Sequence, residues 1–172
     1  MKSINFADLL GRDVVPLQIS EAQAVLQGQI ILVTGASGSI GSELTVQLLN
    51  YEPELLIALD TNETGLFDLA EALRSHPYAS RLCPYIGDIT DGRGMERLFS
   101  KERPHIIFHV AAYKHVPLLE QFPDQALRTN VLATYRLCRL AKEHYVTNFV
   151  FVSTDKAAEP ISVMGHRSEL EK

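Results

Sequence analysis

The sequence predicts an α/β protein: a doubly wound parallel sheet of about five strands with helices on both faces. Short apolar runs, Ile30–Thr34, Leu55–Asp60, Cys83–Gly87, Ile106–Val110 and Phe149–Ser153, alternate with stretches of helical periodicity. The runs are too continuous for strands with one wet face, and strands buried on both faces read this way. Strand–helix alternation implies parallel pairing through right-handed crossovers. In addition, the unusual residues fall at the carboxyl ends of the runs, the rim where open α/β sheets bind ligands.

Residues 1–28 read as a leader. Their apolar residues are scattered, Pro16 breaks any helix, and Glu21–Gln27 is expected to form a short helix before Gly28. The first strand, Ile30–Thr34, runs into Gly35-Ala36-Ser37-Gly38-Ser39-Ile40-Gly41 and then into a helix predicted over Ser39–Tyr51. Glycines at 35, 38 and 41 let the backbone turn sharply and approach a pyrophosphate, which the amides and dipole of the new helix then face. A turn that merely packs helix on strand would also use glycine. Strand two, Leu55–Asp60, precedes a helix over Glu63–Ser75 with Leu66, Leu69, Ala70 and Leu73 on one face. Strand three, Cys83–Gly87, is followed by a helix over Asp91–Lys101. Strand four, Ile106–Val110, leads to a long helical region, Leu118–Tyr145, interrupted near Pro123, and then to strand five. The predicted strand order is 3-2-1-4-5, a Rossmann-type arrangement. The expected organisation is a leader, 1–28, and one dinucleotide-binding domain, 29–172.

Composition narrows the classes of function. The 172 residues suit one domain, and 46% apolar with 22% charged residues is ordinary for a globular protein. A net charge of −5 argues against a general nucleic-acid surface. No apolar stretch approaches the ~20 residues of a membrane span. Cys83 and Cys138 show no motif and read as thiols of a reducing cytoplasm. No metal is expected.

The candidate cofactor residues begin with Thr34, Gly35, Ser37, Gly38, Ser39, Ile40 and Gly41 at the first turn. Asp60, nineteen residues past Gly41, can accept hydrogen bonds from a ribose diol and would repel a 2′-phosphate, favouring NAD over NADP. It, Thr61 or Asn62 could equally cap the next helix. Asp88 can receive an adenine amino group with Ile89 beside the ring, or cap a helix. Ala111 and Ala112 leave room for a cofactor, and Lys114 and His115 add donors, unless they are simply a charged loop. Thr154-Asp155-Lys156 sets an acid and an amine side by side after strand five. Burial could tune such a pair for proton transfer, and a solvated turn is the plainer reading.

These residues carry a resemblance. The chain is similar to the extended short-chain dehydrogenase/reductase superfamily, and within it to nucleotide-sugar 4,6-dehydratases of the polysaccharide (capsule) biosynthesis type. The matching segments are Asp8–Arg12, Val33–Leu44, Ala111–Leu118, Thr129–Leu132, Ser153–Ala157 and Val163–Gly165. The resemblance implies tightly held NAD(P) and conversion of UDP-N-acetylglucosamine to a 4-keto-6-deoxy sugar. It implies Asp155 as acid, Lys156 as base, Thr154 near the sugar 4-hydroxyl, and Asn130 as the helix asparagine near the site. Met164 stands where the superfamily usually has tyrosine, as in one dehydratase branch, and Ser168 stands where it has lysine.

The family continues for over a hundred residues beyond Lys172, into the region that forms most of the nucleotide-sugar pocket. The chain is therefore expected to be the cofactor-binding portion, without full turnover alone. The alternative is a non-catalytic dinucleotide-binding module. The tail after Gly165 departs from the family, and a shifted reading frame would restore a family-like K-R-V-G-E, so a frameshift is one expected origin. Apolar surface left uncovered by missing elements predicts a homo-oligomer.

Overall fold

The computed structural model describes residues 19–153. Helix α1 (Ile19–Leu26) leads into β1 (Ile30–Thr34), α2 (Ser39–Leu49), β2 (Leu55–Asp60) and α3 (Glu63–Ala72). A 3₁₀ turn (Ala79–Arg81) precedes β3 (Leu82–Ile86), followed by α4 (Gly92–Glu102) and β4 (Ile106–His109). Two short helices, α5 (Val116–Gln121) and α6 (Pro123–Ala126), run into a π-helical segment (Leu127–Ala133), then α7 (Thr134–Glu143) and β5 (Asn148–Phe151). The five strands form one parallel sheet in the order β3-β2-β1-β4-β5, as the sequence predicts.

Alternate residues of the central strands serve opposite faces, because side chains alternate across a strand. Ile31 and Val33 of β1 and Leu56 and Ala58 of β2 pack with Leu48 and Leu49 of α2 and Leu66 and Leu69 of α3. Leu32, Ile57, Leu59 and Ile107 pack with Met95, Leu98 and Phe99 of α4 and Leu137 and Ala141 of α7. The middle positions of the central strands thus need apolar residues on both faces, which is why those runs are unbroken. Leu26 of α1 joins the first cluster, so the end of the predicted leader packs on the domain. Pro84 sits in β3, at the sheet's edge, where a missing N–H costs no ladder bond.

The region between β4 and β5 departs from the single interrupted helix expected over Leu118–Tyr145. The break falls at Phe122, with φ −125° and ψ 63°, because Pro123 disfavours a helical residue before it. The wide π turn that follows was not expected. It spans Arg128, Thr129 and Asn130. The predicted Ser39–Tyr51 and Glu63–Ser75 helices end earlier, at Leu49 and Ala72.

Candidate cofactor site

The sheet's order reverses between β1 and β4, and a cleft of about 430 Å³ opens there beyond the strands' carboxyl ends. Its floor is the turn from β1 to α2. Gly35 adopts φ +71°, and a Cβ there would lie 2.7 Å from the Ala111 backbone nitrogen. At Gly41 a Cβ would collide with the Gly35 carbonyl oxygen. Both positions therefore require glycine, one for its backbone angle and one for the closeness of helix to turn. The turn is tied down by Gly38 N–H donating to the Gly35 carbonyl at 3.1 Å and Ala36 N–H to the Leu59 carbonyl at 3.1 Å.

Gly38 is the N-cap of α2, and no side chain caps it. Ser39 and Ile40 open the helix, where first-turn amides have no intrahelical acceptor. Both residues line the cleft. Uncapped amides at the positive end of a helix dipole suit a phosphate. These observations fit a dinucleotide: a cradle that a Cβ would fill, and donors left for an anion.

Asp60, at the end of β2, also lines the cleft. Its Oδ2 accepts the Ser37 N–H at 3.0 Å and its Oδ1 the Asn62 N–H at 3.0 Å. It is not the helix cap. Asn62 caps α3, accepting the Gly65 N–H at 3.0 Å. Asp60 thus braces the glycine turn, with further lone pairs on each oxygen for a ligand. Asp88 is not a cap either. It accepts the Thr90 N–H at 2.7 Å, while the N-cap position of α4 belongs to Asp91. Ile89 is buried against α4 and α7 with part of its surface on the cleft.

Twelve of the sequence-predicted residues line this one cleft: Gly35, Ser37, Gly38, Ser39, Ile40, Gly41, Asp60, Asp88, Ile89, Ala111, Ala112 and Lys114. Two others lie beside it. Thr34 is fully buried beneath the floor and faces His109. Asn130 spends its amide on the loop after β4: its Oδ1 accepts the Tyr113 N–H and its Nδ2 donates to the Tyr113 carbonyl, both at 2.9 Å. It positions the loop carrying Tyr113 and Lys114. His115 is the exposed N-cap position of α5. Thr154, Asp155, Lys156 and Met164 lie outside the described residues.

Sequence reasoning missed His109. It is fully buried at the end of β4, with its ring 5.5 Å from Phe151 and 6.0 Å from Phe149. Burial lowers its pKa from 6.5 to about 4, so it is neutral at pH 7. Its partners fix the tautomer. The Thr134 hydroxyl donates to the Asn130 carbonyl at 2.8 Å, so its oxygen is left to accept from His109 Nε2–H at 2.8 Å. His109 Nδ1 then accepts the Thr34 hydroxyl at 2.6 Å, and the Thr34 oxygen receives the Val110 and Ala111 amides at 3.3 Å each. The chain of bonds joins the ends of β1 and β4 to the π segment, directly under the cleft. Arg128, Thr129, Gln125 and Tyr113 also line the cleft without having been singled out as site residues. A lone histidine in an apolar run and an arginine in an interrupted helix carry no motif.

A parallel sheet in this order, with a glycine turn opening a helix at the point where the order reverses, defines a Rossmann-type fold. Its structural likeness agrees: the UDP-Glc/GlcNAc 4-epimerase from Campylobacter jejuni superposes with a TM-score of 0.75 at 26% identity, covering 84% of this chain and 48% of that one. The chain belongs to the family described as polysaccharide biosynthesis protein, which matches residues 31–171. It is 39% identical to the capsular polysaccharide biosynthesis protein CapD of Staphylococcus aureus, over 96% of this chain and 28% of that protein. It is 34% identical to a UDP-N-acetylglucosamine 4,6-dehydratase (inverting) of Campylobacter jejuni, over 78% of this chain and 39% of the enzyme. The chain thus spans well under half the length of these curated relatives. Among the described residues, no helix is long and apolar enough to cross a membrane.

Proposed function

We propose that this chain binds NAD in the cleft between the β1 and β4 ends and is the cofactor-binding portion of a nucleotide-sugar 4,6-dehydratase of polysaccharide or glycan biosynthesis. The observation that carries the reading is the floor of the cleft. Two positions there accept only glycine, and the uncapped N-terminus of α2 offers its amides to a pyrophosphate. The dehydratase relative and the family match support the substrate class, a UDP-linked amino sugar.

When bound, NAD would supply hydride chemistry, with a hydride taken from the sugar C4 and delivered to C6. The chain's own residues hold and orient it. The α2 amides take the pyrophosphate, Asp60 takes the adenosine ribose, and Asp88 with Ile89 takes the base. Asp60 favours NAD because its carboxylate repels a 2′-phosphate. The small side chains of Ala111 and Ala112 leave space beside β4, and Asn130 holds Tyr113 and Lys114 at the rim. Asp155 is proposed to give a proton to the leaving C6 hydroxyl and Lys156 to take the C5 proton, with Thr154 against the 4-hydroxyl. Met164 occupies the usual tyrosine position and cannot relay a proton. Complete turnover is not proposed for these 172 residues by themselves, since they cover only 28% of one relative and 39% of the other.

Calorimetric titration of the purified chain with NAD and, separately, NADP tests the reading. Binding of NAD with clearly weaker binding of NADP is expected. No heat with either nucleotide would sink it.

A further inference from the structure

Among the described residues, the Lys and Arg side chains that line the cleft are Lys114 and Arg128. Lys114 follows β4. Arg128 is different: it reaches from the π segment to the other wall, where its Nη2 donates to the Thr90 hydroxyl at 3.3 Å. Thr90 belongs to the loop after β3, and its N–H donates to Asp88 Oδ1 at 2.7 Å. Arg136 adds a second tie, Nη1 to the Thr90 carbonyl at 3.4 Å. The cleft is thus bridged at its Asp88 end by a guanidinium, and not at the end where the α2 amides lie.

A regular α-helix through Leu127–Ala133 would not space these side chains the same way. The wide turn lets Arg128 and Thr129 line the cleft, while Asn130 holds the Tyr113 backbone. π turns recur where a helix must aim side chains at a ligand. Arg128 is exposed, and an exposed arginine held by a neutral hydroxyl keeps donors and a flat face free. A purine base has the complementary property, a π face that guanidinium planes cover well.

We propose that Arg128 is a binding residue of the adenine subsite: its guanidinium, held across the cleft by Thr90, covers the base that Asp88 and Ile89 receive from the other side. The inference rests on the reading that the cleft binds a dinucleotide, and it adds the residue that covers the base at that end. It assigns Arg128 to the base and not to a phosphate, because among the described residues its side chain is tied to the Asp88 loop.

The test uses the two halves of the dinucleotide. AMP, 2′,5′-ADP and nicotinamide mononucleotide are titrated into the wild-type chain, Arg128→Ala and Thr90→Val, alongside NAD. Arg128→Ala is expected to weaken AMP and NAD about five- to thirtyfold, the range that a partly desolvated cation–π contact implies, and to leave the mononucleotide unchanged. Thr90→Val is expected to weaken AMP by a smaller factor, since it frees the arginine without removing it. Unchanged AMP binding in Arg128→Ala would overturn the proposal, and so would an equal loss for both halves. A larger loss for 2′,5′-ADP than for AMP would make Arg128 a phosphate ligand and overturn it as well. A wild-type chain that binds neither NAD nor AMP would instead remove the dinucleotide reading on which it stands.

Discussion

Acid should destabilise this fold through one histidine. His109 is fully buried among Phe149, Phe151, Thr34 and Thr134, and its pKa falls from 6.5 to about 4 because burial disfavours the charged ring. The folded state therefore binds a proton less readily than the unfolded chain, so stability rises with pH across this window. The contribution is complete above pH 6.5 and is lost as pH falls from 6.5 towards 4. At ~1.4 kcal/mol per pH unit, a drop from 6.5 to about 4 is worth about 3 kcal/mol in all, and about 2 kcal/mol of it is gone by pH 5. Bond geometry gives the same sign. Protonating Nδ1 would turn two donors, the ring and the Thr34 hydroxyl, towards each other, while the Thr34 oxygen already accepts two amides.

Denaturant unfolding of wild type and His109→Gln at pH 7 and pH 5 measures this. Wild type should lose about 2 kcal/mol more than the variant between the two pH values, since glutamine does not titrate. At pH 7 the variant should already be less stable by ~1–3 kcal/mol, from unmatched buried partners. Equal pH dependence in the two proteins would refute the reasoning. Should the variant not fold, nitrogen chemical shifts of the wild-type imidazole decide instead. They should report an Nε2–H ring that resists protonation down to about pH 4, and an ordinary titration near pH 6.5 would be fatal to the argument.

Further outcomes are expected from the cleft and the surface. Gly41→Ala should abolish detectable NAD binding by calorimetry, because the added methyl needs the space of the Gly35 carbonyl. Asp60→Asn should weaken NAD about tenfold and narrow its advantage over NADP, since a charge-assisted bond is worth ~1.5–3 kcal/mol and the repulsion of a 2′-phosphate disappears. Loss of NAD affinity with the NAD-to-NADP ratio unchanged would show that Asp60 only braces Ser37. Leu118, Phe122, Leu127, Leu132 and Tyr135 are exposed along the segment between β4 and β5. Exposed apolar surface of this kind drives association, so light scattering should find a dimer or larger, and a monomer at micromolar concentration would count against it.

The fold was readable because a parallel sheet covered on both faces leaves a plain mark. The central positions of β1 and β2 must be apolar, so Ile31-Leu32-Val33 and Leu56-Ile57-Ala58-Leu59 announce themselves. The floor of the cleft was readable for a similar reason, since glycine at 35 and 41 answers a local backbone demand that other residues cannot meet. Asp60 and Asp88 were found, but their choice between capping and ligand was not legible. An acid before a helix looks the same either way, and only the structure shows Asn62 taking the cap of α3.

The sequence by itself determined the strand order, the position of the cleft and most of its lining, because these follow from periodicity and from steric limits within a few residues of chain. Tertiary structure alone decided the roles that depend on distant partners. Thr34, His109 and Thr134 lie 75 and 25 residues apart and become one hydrogen-bonded chain only when β1, β4 and α7 meet. Arg128 gains its place from Thr90, 38 residues earlier, and from a π turn that no propensity marks. A hydrogen bond needs its two groups within about 3 Å, and such proximity is set by packing of the whole sheet and its helices, not by the residues that make the bond.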